Sequence, residues 1–261
     1  MSLISGPILA ILAAAAPMAA RAGEAACRFE KGVIVVPAEV AGIGGEYILD
    51  TGAAQTALHE TKAEAEGISE TALSGDVRLA GIKVVGQALT VEDLDVRTWN
   101  LPTAVAGVIG ADVLKGFVVD VDFAPCRIRL FLPGRAPPFG GTALPMSLEN
   151  GRPAVEAAAS DGVREVRGPF VVATGANVPV RLADDLADAP GASRPSELYP
   201  DGVWLAKLVS LTFAGLEQRN LGAGLMKPEG DVAGMLGGAA LSRFRLRFDF
   251  PAGRFLVVRV R

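Results

Sequence analysis

The residues best suited to chemistry lie at the end of a short apolar run. Residues 47–49 read as a buried strand, and Asp50, Thr51 and Gly52 follow it directly. Asp and Gly are poor strand residues, so the chain must turn sharply here. Asp50 is therefore the first candidate catalytic residue. The alternative is that its carboxylate only accepts hydrogen bonds from backbone amides of its own turn.

The same pattern returns 123 residues later (173 − 50), where Ala173, Thr174 and Gly175 follow a second apolar run. The triplet has changed in one place only, since Ala173 stands where the first copy has Asp. A second pair of matching segments begins at Gly107 and Gly234, an offset of 127 residues (234 − 107). The chain therefore contains two copies of one unit, each of a size that suits a small lobe.

These segments resemble the retropepsin- and pepsin-like aspartic peptidases. The resemblance rests on Asp-Thr-Gly-Ala after an apolar strand, on Gly-Val-Ile-Gly-Ala-Asp at residues 107–112, and on the duplication of the unit. It implies an all-β fold of two pseudo-twofold-related β-barrel lobes with a cleft between them. It also implies site residues: a catalytic half-site of Asp50, Thr51 and Gly52, a degenerate half-site of Ala173, Thr174 and Gly175, and supporting Gly110, Asp112 and Gly237.

Composition divides the chain into four parts. Residues 1–22 read as a secretion signal, because the apolar run at 8–16 is too short to span a bilayer and small residues precede a cleavage site after Ala22. Residues 23–131 form the predicted N-terminal lobe, 132–145 a linker rich in Pro and Gly, and 146–261 the degenerate C-terminal lobe. We therefore expect a secreted or periplasmic protein without a membrane span.

Local patterns predict where individual elements lie. In the first lobe they indicate a helix at 56–66 with a partly exposed His59, two strands within 77–91 joined near Gly86, and a hairpin over 117–131. The ten residues from 67 to 77 leave room for only a stunted flap, the hairpin that covers the substrate in the family. In the second lobe, 182–189 reads as helix and 190–202 as a loop that either overhangs the cleft or is a mobile surface loop. Arginines at 243, 245 and 247 alternate with apolar residues, which predicts a strand with a basic outer face. We expect this face to be solvated, and a polyanion-binding patch is the alternative.

The net charge and the cysteine and histidine content limit which partners and cofactors we expect. The net charge of −4 argues against nucleic acid as a partner. One histidine and two cysteines cannot form an ordinary zinc site, so we expect no metal and no cofactor. In an oxidising compartment Cys27 and Cys126 form a reasonable disulfide, and two separate buried thiols are the alternative.

The missing second acid leaves the activity open. Aspartic peptidases need two adjacent carboxylates that share one proton, so that one activates water while the other donates a hydrogen bond to the substrate carbonyl. With Ala173 present, three readings remain. The chain is an aspartic endopeptidase of doubtful activity, for which a dimer that supplies a second Asp50 is compatible but not required. It is a non-catalytic relative that binds peptide segments as a periplasmic binding or scaffolding protein. In the third reading, a catalytic Asp at position 173 was deliberately replaced by Ala to trap substrate.

Overall fold

The computed structural model describes residues 21–162, 165–182, 196–198, 203–226 and 231–260. The first half of the chain contains ten strands and three short helices within this part. They are β1 Arg21–Ala26, β2 Arg28–Glu30, β3 Val33–Val40, β4 Ile43–Leu49, β5 Ala57–His59, α1 Glu60–Ala65, β6 Ala72–Leu79, β7 Ile82–Glu92, α2 Asp95–Thr98, β8 Gly107–Ile109, α3 Ala111–Leu114, β9 Val118–Phe123 and β10 Cys126–Phe131.

The second half repeats this order with fewer helical turns among its described residues. Its elements are β11 Thr142–Pro145, β12 Ser147–Glu149, β13 Arg152–Ser160, β14 Glu165–Ala173, β15 Val180–Leu182, β16 Ser196–Leu198, β17 Val203–Phe213, β18 Leu216–Leu225, β19 Gly234–Gly237, α4 Gly238–Leu241, β20 Phe244–Asp249, a 3₁₀ turn at Phe250–Ala252, and β21 Arg254–Arg259.

Each half closes into a small barrel. In the first lobe the strand order is β3-β4-β8-β5-β7-β6, and β6 pairs back onto β3. In the second lobe the order is β13-β14-β19-β15-β18-β17, and β17 pairs back onto β13. Closure removes the free edges that an open sheet of this size would expose. The predicted all-β fold of two related barrel lobes is confirmed.

A third sheet joins the lobes, in the order β1-β10-β9-β20-β21-β11. Its centre is the antiparallel pair of β9 and β20, one from each lobe, so the pseudo-twofold axis passes between them. Strand β11 lies inside residues 132–145, so the end of the predicted linker is part of this sheet. The lobe boundaries themselves stay a prediction.

The sheet between the lobes contains buried charge that the sequence did not predict correctly. Arg247 on β20 is 7% exposed at its side chain and forms two hydrogen bonds with Asp120 on β9, at 2.5 and 2.8 Å. Phe139 covers both Arg247 and Arg245, whose guanidinium carbons lie 4.6 and 5.3 Å from the ring centre. The prediction of a solvated basic face was therefore wrong for Arg247, because residues of the predicted linker fold over it, whereas Arg243 and Arg245 are exposed.

Three other local predictions need correction. Residues 56–66 are not one helix, since Ala57–His59 is strand β5 and the helix begins at Glu60. His59 is buried rather than partly exposed, and its Nε2 lies 3.2 Å from Asp95 Oδ1. The turn between β6 and β7 falls at residues 80–81, whereas Gly86 lies inside β7 with a φ of +64°. The predicted hairpin at 117–131 is present as β9 and β10.

Several predictions concern residues outside the described part of the chain. They are most of the proposed signal, residues 183–189 of the helix predicted at 182–189, and residues 190–195 and 199–202 of the predicted loop. Leu182, the first residue of that predicted helix, is instead the last residue of strand β15. Residues 196–198 of that loop are strand β16, which pairs with β17. Among the described residues, no helix has the length and apolar character needed to cross a bilayer.

The buried ion pair between the lobes gives a test of how they are held together. Asp120→Ala leaves Arg247 buried without its carboxylate, so we expect the free energy of unfolding to fall by about 3–5 kcal/mol. Equilibrium urea denaturation measures this. The matched control is Glu165→Ala, which breaks an exposed ion pair with Arg167 and should cost at most about 1 kcal/mol. Equal losses for the two variants would contradict the assignment.

Asp122, on the same sheet, predicts how stability changes with pH. Burial by itself raises its pKa, but hydrogen bonds from Arg129 at 2.5 Å and Arg245 at 2.6 Å outweigh burial, and the pKa is lowered. The ionised carboxylate therefore stabilises the fold above about pH 4, and this contribution is lost as the pH falls through the folded-state pKa. In urea denaturation at pH 7 and pH 3, Asp122→Asn should lose less stability between the two pH values than the wild type. An equal or larger loss in the variant would contradict the assignment.

Candidate functional site

The two repeated loops meet at the centre of the molecule. Thr51 Oγ1 donates to Val172 O at 2.5 Å, and Thr174 Oγ1 donates to Leu49 O at 2.7 Å. Each hydroxyl also accepts the other residue's backbone N–H, at 3.1 and 3.3 Å. Both threonines are fully buried. The four hydrogen bonds join the end of β4 to the end of β14, so the threonines of the two predicted half-sites lie together.

Asp50 lies at this junction and is bound by both loops. Its Oδ1 accepts the Gly52 N–H at 2.8 Å and the Gly175 N–H at 3.0 Å. A Cβ atom on Gly175 would stand 2.5 Å from Asp50 Cβ, which explains why glycine is needed at that position. The carboxylate accepts a hydrogen bond within its own turn and another from the opposite lobe, so it does more than cap its own turn.

Ala173 faces Asp50 across Gly52. The point where a Gly52 Cβ would stand lies 2.4 Å from Ala173 Cβ and 3.1 Å from Asp50 Oδ1. Ala173 is fully buried. A methyl group therefore occupies the position from which a second carboxylate would approach the first. Among the other acids of the second lobe, Glu165 is exposed and pairs with Arg167.

Arg97 is the site residue that the sequence did not reveal. Its Nη2 donates to Asp50 Oδ2, so Asp50 has hydrogen-bond partners on both of its oxygens. Arg97 belongs to α2, a four-residue helix without a buried residue. The helix is held in place by its neighbour Leu94, which packs with Ile48 and Val105 in a small buried cluster. The available signal in the sequence was an arginine two residues before a tryptophan, Trp99, which the structure shows to be exposed.

Helix α2, and not the stretch in which a flap was expected, contacts Asp50. Residues 60–79 are all described, and they form α1, a short connection and strand β6. The stunted flap expected at 67–77 is therefore absent from this stretch. Val96 and Arg97, which line the cavity at Asp50, lie in the segment between β7 and β8.

The supporting residues form a network behind the first loop. Gly110 N–H donates to Thr56 Oγ1 at 3.0 Å, and that hydroxyl donates to Asp112 Oδ1 at 2.7 Å. Gln87 Nε2 donates to the other oxygen of Asp112 at 3.0 Å. In the second lobe the matching position is Ala239, which has no carboxylate. Gly237 is still required there, because a Cβ would stand 1.9 Å from Val178 O.

A cavity of about 320 Å³ opens between the lobes at Asp50. Asp50 is the one carboxylate among the described residues that line it, and two arginines approach from opposite lobes. The lining consists of Asp50, Gly52, Ala53, Val96, Arg97, Gly175, Ala176, Asn177, Arg181 and Met235.

Two further features of the first lobe concern Tyr47 and the two cysteines. Burial raises the pKa of Tyr47, which lies on the strand that leads to Asp50 and whose hydroxyl donates to Ile43 O at 2.7 Å. Away from the cleft, Cys27 and Cys126 are joined by a disulfide, with their Cα atoms 4.9 Å apart. It ties the first strands of the lobe to β10.

Comparisons with known proteins agree with this geometry. Residues 36–119 match a family model described as aspartyl protease. The crystal structure of an aspartic proteinase from Irpex lacteus superimposes with a TM-score of 0.56 at 12% sequence identity, covering 91% of this chain and 97% of that one. No protein with a curated description matches the sequence. The predicted resemblance is confirmed by the family model over the first lobe and by the fold over both lobes.

The threonine contacts give a test of how the loops are joined. Thr174→Val keeps the shape of the side chain but leaves Leu49 O and the Thr51 N–H without their partners. Each unsatisfied buried group costs about 1–3 kcal/mol, so we expect the free energy of unfolding to fall by about 2–4 kcal/mol in urea denaturation. The control Thr212→Val, at an exposed position on β17, should change it by less than about 0.5 kcal/mol. If both variants unfold alike, the threonine contact does not hold the loops.

Proposed function

We propose that this relative of the pepsin- and retropepsin-like aspartic peptidases binds a peptide segment in the cleft between its lobes and does not hydrolyse it. The observation that carries the proposal is the environment of Asp50. It faces the methyl group of Ala173 where a second carboxylate would be needed, and its outer oxygen is bound by Arg97.

Hydrolysis fails at two points in this geometry. Two adjacent carboxylates cannot both ionise, and the proton that they share lets one act as a base while the other acts as an acid. Asp50 has no such partner, so the acid that polarises the substrate carbonyl is missing. Both loop amides donate to Oδ1, and Arg97 donates to Oδ2, so Arg97 competes with a water molecule for the oxygen that the amides leave free.

Binding is supported by what the chain retains. The loops still meet through Thr51 and Thr174, and an open cavity with walls from both lobes lies beside them. Val96 on α2 is 53% exposed and lines this cavity, which provides an apolar surface for a ligand. A peptide segment or an unfolded stretch of protein is the ligand class that this architecture accepts in the related enzymes.

The same contacts disfavour a site shared between two chains. Asp50 is 5% exposed, and its loop is hydrogen-bonded to the second lobe of its own chain. A partner's Asp50 would have to displace that lobe to reach it. We therefore assign the function to one chain. We also propose that the protein works outside the cytoplasm, which the Cys27–Cys126 disulfide supports because such bonds persist in oxidising compartments.

Cleavage assays separate the proposal from a working peptidase. The wild type should leave unfolded substrate proteins intact at acid and neutral pH. Ala173→Asp combined with Arg97→Gln supplies the second carboxylate and removes the guanidinium group that binds Asp50, so cleavage should rise by about 10²-fold or more over the wild type. Mass spectrometry of the digests measures both results.

The control for this experiment is Asp50→Asn, made in the wild type and in the double variant. It should abolish the gain in the double variant and change nothing in the wild type. Robust cleavage by the wild type that is lost on Asp50→Asn would overturn the proposal in favour of an active endopeptidase.

A further inference from the structure

The charged side chains that line the cavity indicate which class of ligand the cavity favours. Arg97 enters from the first lobe and Arg181 from the second, whereas Asp50 is the one carboxylate in the described lining. Both oxygens of Asp50 already have donors within the protein. The acid that would bind an incoming cation therefore already has hydrogen-bond donors, whereas Arg97 keeps N–H groups that its contact with Asp50 does not use.

Arg97 has donors to spare for a ligand. A guanidinium group has five N–H donors arranged in a planar fork, and the Asp50 contact uses one terminal nitrogen. The side chain is 33% exposed, so it contacts Asp50 without being enclosed. The Arg97–Asp50 ion pair also holds the guanidinium in one position, which lowers the entropic cost of binding a second carboxylate.

The rest of the lining defines the space around that donor. Ala53 and Val96 lie on the side of the first lobe, and Ala176 and Met235 on the side of the second. A cavity of about 320 Å³ is near the lower end of the range for ligand sites, so it suits a few residues rather than a long segment. Small aliphatic side chains around a fixed guanidinium favour a short apolar peptide with one acidic group.

We propose that Arg97 makes the cleft selective for peptide segments that carry a carboxylate next to apolar side chains. The inference rests on the proposed function, since it names the ligand class of that same site. The carboxylate is either the free C-terminus of the peptide or an Asp or Glu side chain, because both present the same two oxygens to the guanidinium fork.

The experiment measures the affinity of four fluorescein-labelled apolar hexapeptides by fluorescence anisotropy. One has a free C-terminus, one is amidated, one is amidated with an internal Glu, and one is amidated with an internal Lys. The wild type should bind the carboxylate-bearing peptides about tenfold more tightly than the neutral amide, as expected for a charge-assisted hydrogen bond. Whichever of the two acidic peptides binds more tightly identifies the source of the carboxylate.

Variants at Arg97 assign the preference to this side chain. Arg97→Gln removes the donor and also leaves Asp50 without its cation, so the preference should invert in favour of the Lys peptide. Adding Asp50→Asn should then remove any preference for charge. Arg97→Lys should keep part of the original preference, because it retains the charge but not the fork. The matched control is Arg219→Gln, an exposed arginine outside the cavity lining that pairs with Glu217 and should leave all four affinities unchanged.

Three results would count against these proposals, in different ways. Equal affinities for all four peptides in the wild type would overturn the inference and leave the proposed function standing. A carboxylate preference that survives Arg97→Gln would overturn the assignment to Arg97. If none of the peptides binds, the proposed function itself fails.

Discussion

The exchange of hydrogen bonds between Thr51 and Thr174 is the contact on which the rest of this molecule depends. Each hydroxyl reaches a backbone carbonyl of the opposite lobe, so neither loop is complete without the other. Because both residues are fully buried, water cannot replace a lost partner. This contact fixes the distance between the lobes and places whatever precedes each threonine, here an acid and a methyl group, face to face.

The presence of Ala173 opposite Asp50 decides the electrostatic role of Asp50. A pair of carboxylates at this junction would have to share a proton, whereas a lone Asp50 can accept a cation. Arg97 supplies that cation from a short helix that Leu94 holds against the barrel. Under the proposed function, Asp50 therefore orients an arginine at the mouth of the cleft and does not act as a catalytic acid.

The fold could be predicted from the sequence because the duplication and the strand periodicity can both be recognised within short segments. The repeat of Asp50-Thr51-Gly52 as Ala173-Thr174-Gly175 was enough to predict two lobes that meet at these loops. Arg97 could not be predicted in the same way, since its position depends on how residues 93–106 pack against Ile48, a contact between distant segments. The burial of Arg247 could not be predicted for the same reason, because Asp120 and Phe139, which contact it, are distant from it in the sequence. His59 is buried because it ends a barrel strand rather than lying on a helix.

One measurement tests most directly whether this site binds without cutting. In ¹⁸O-labelled water, the protein is saturated with the apolar hexapeptide that carries a free C-terminus. After a long incubation the peptide is recovered, and its mass is measured by mass spectrometry. In parallel, hydrogen–deuterium exchange is followed across the chain. We predict slower exchange in fragments that contain Asp50, α2 and Thr174, with the peptide recovered whole. Recovery of shorter peptides that have gained ¹⁸O, or unchanged exchange at both loops, would contradict the account.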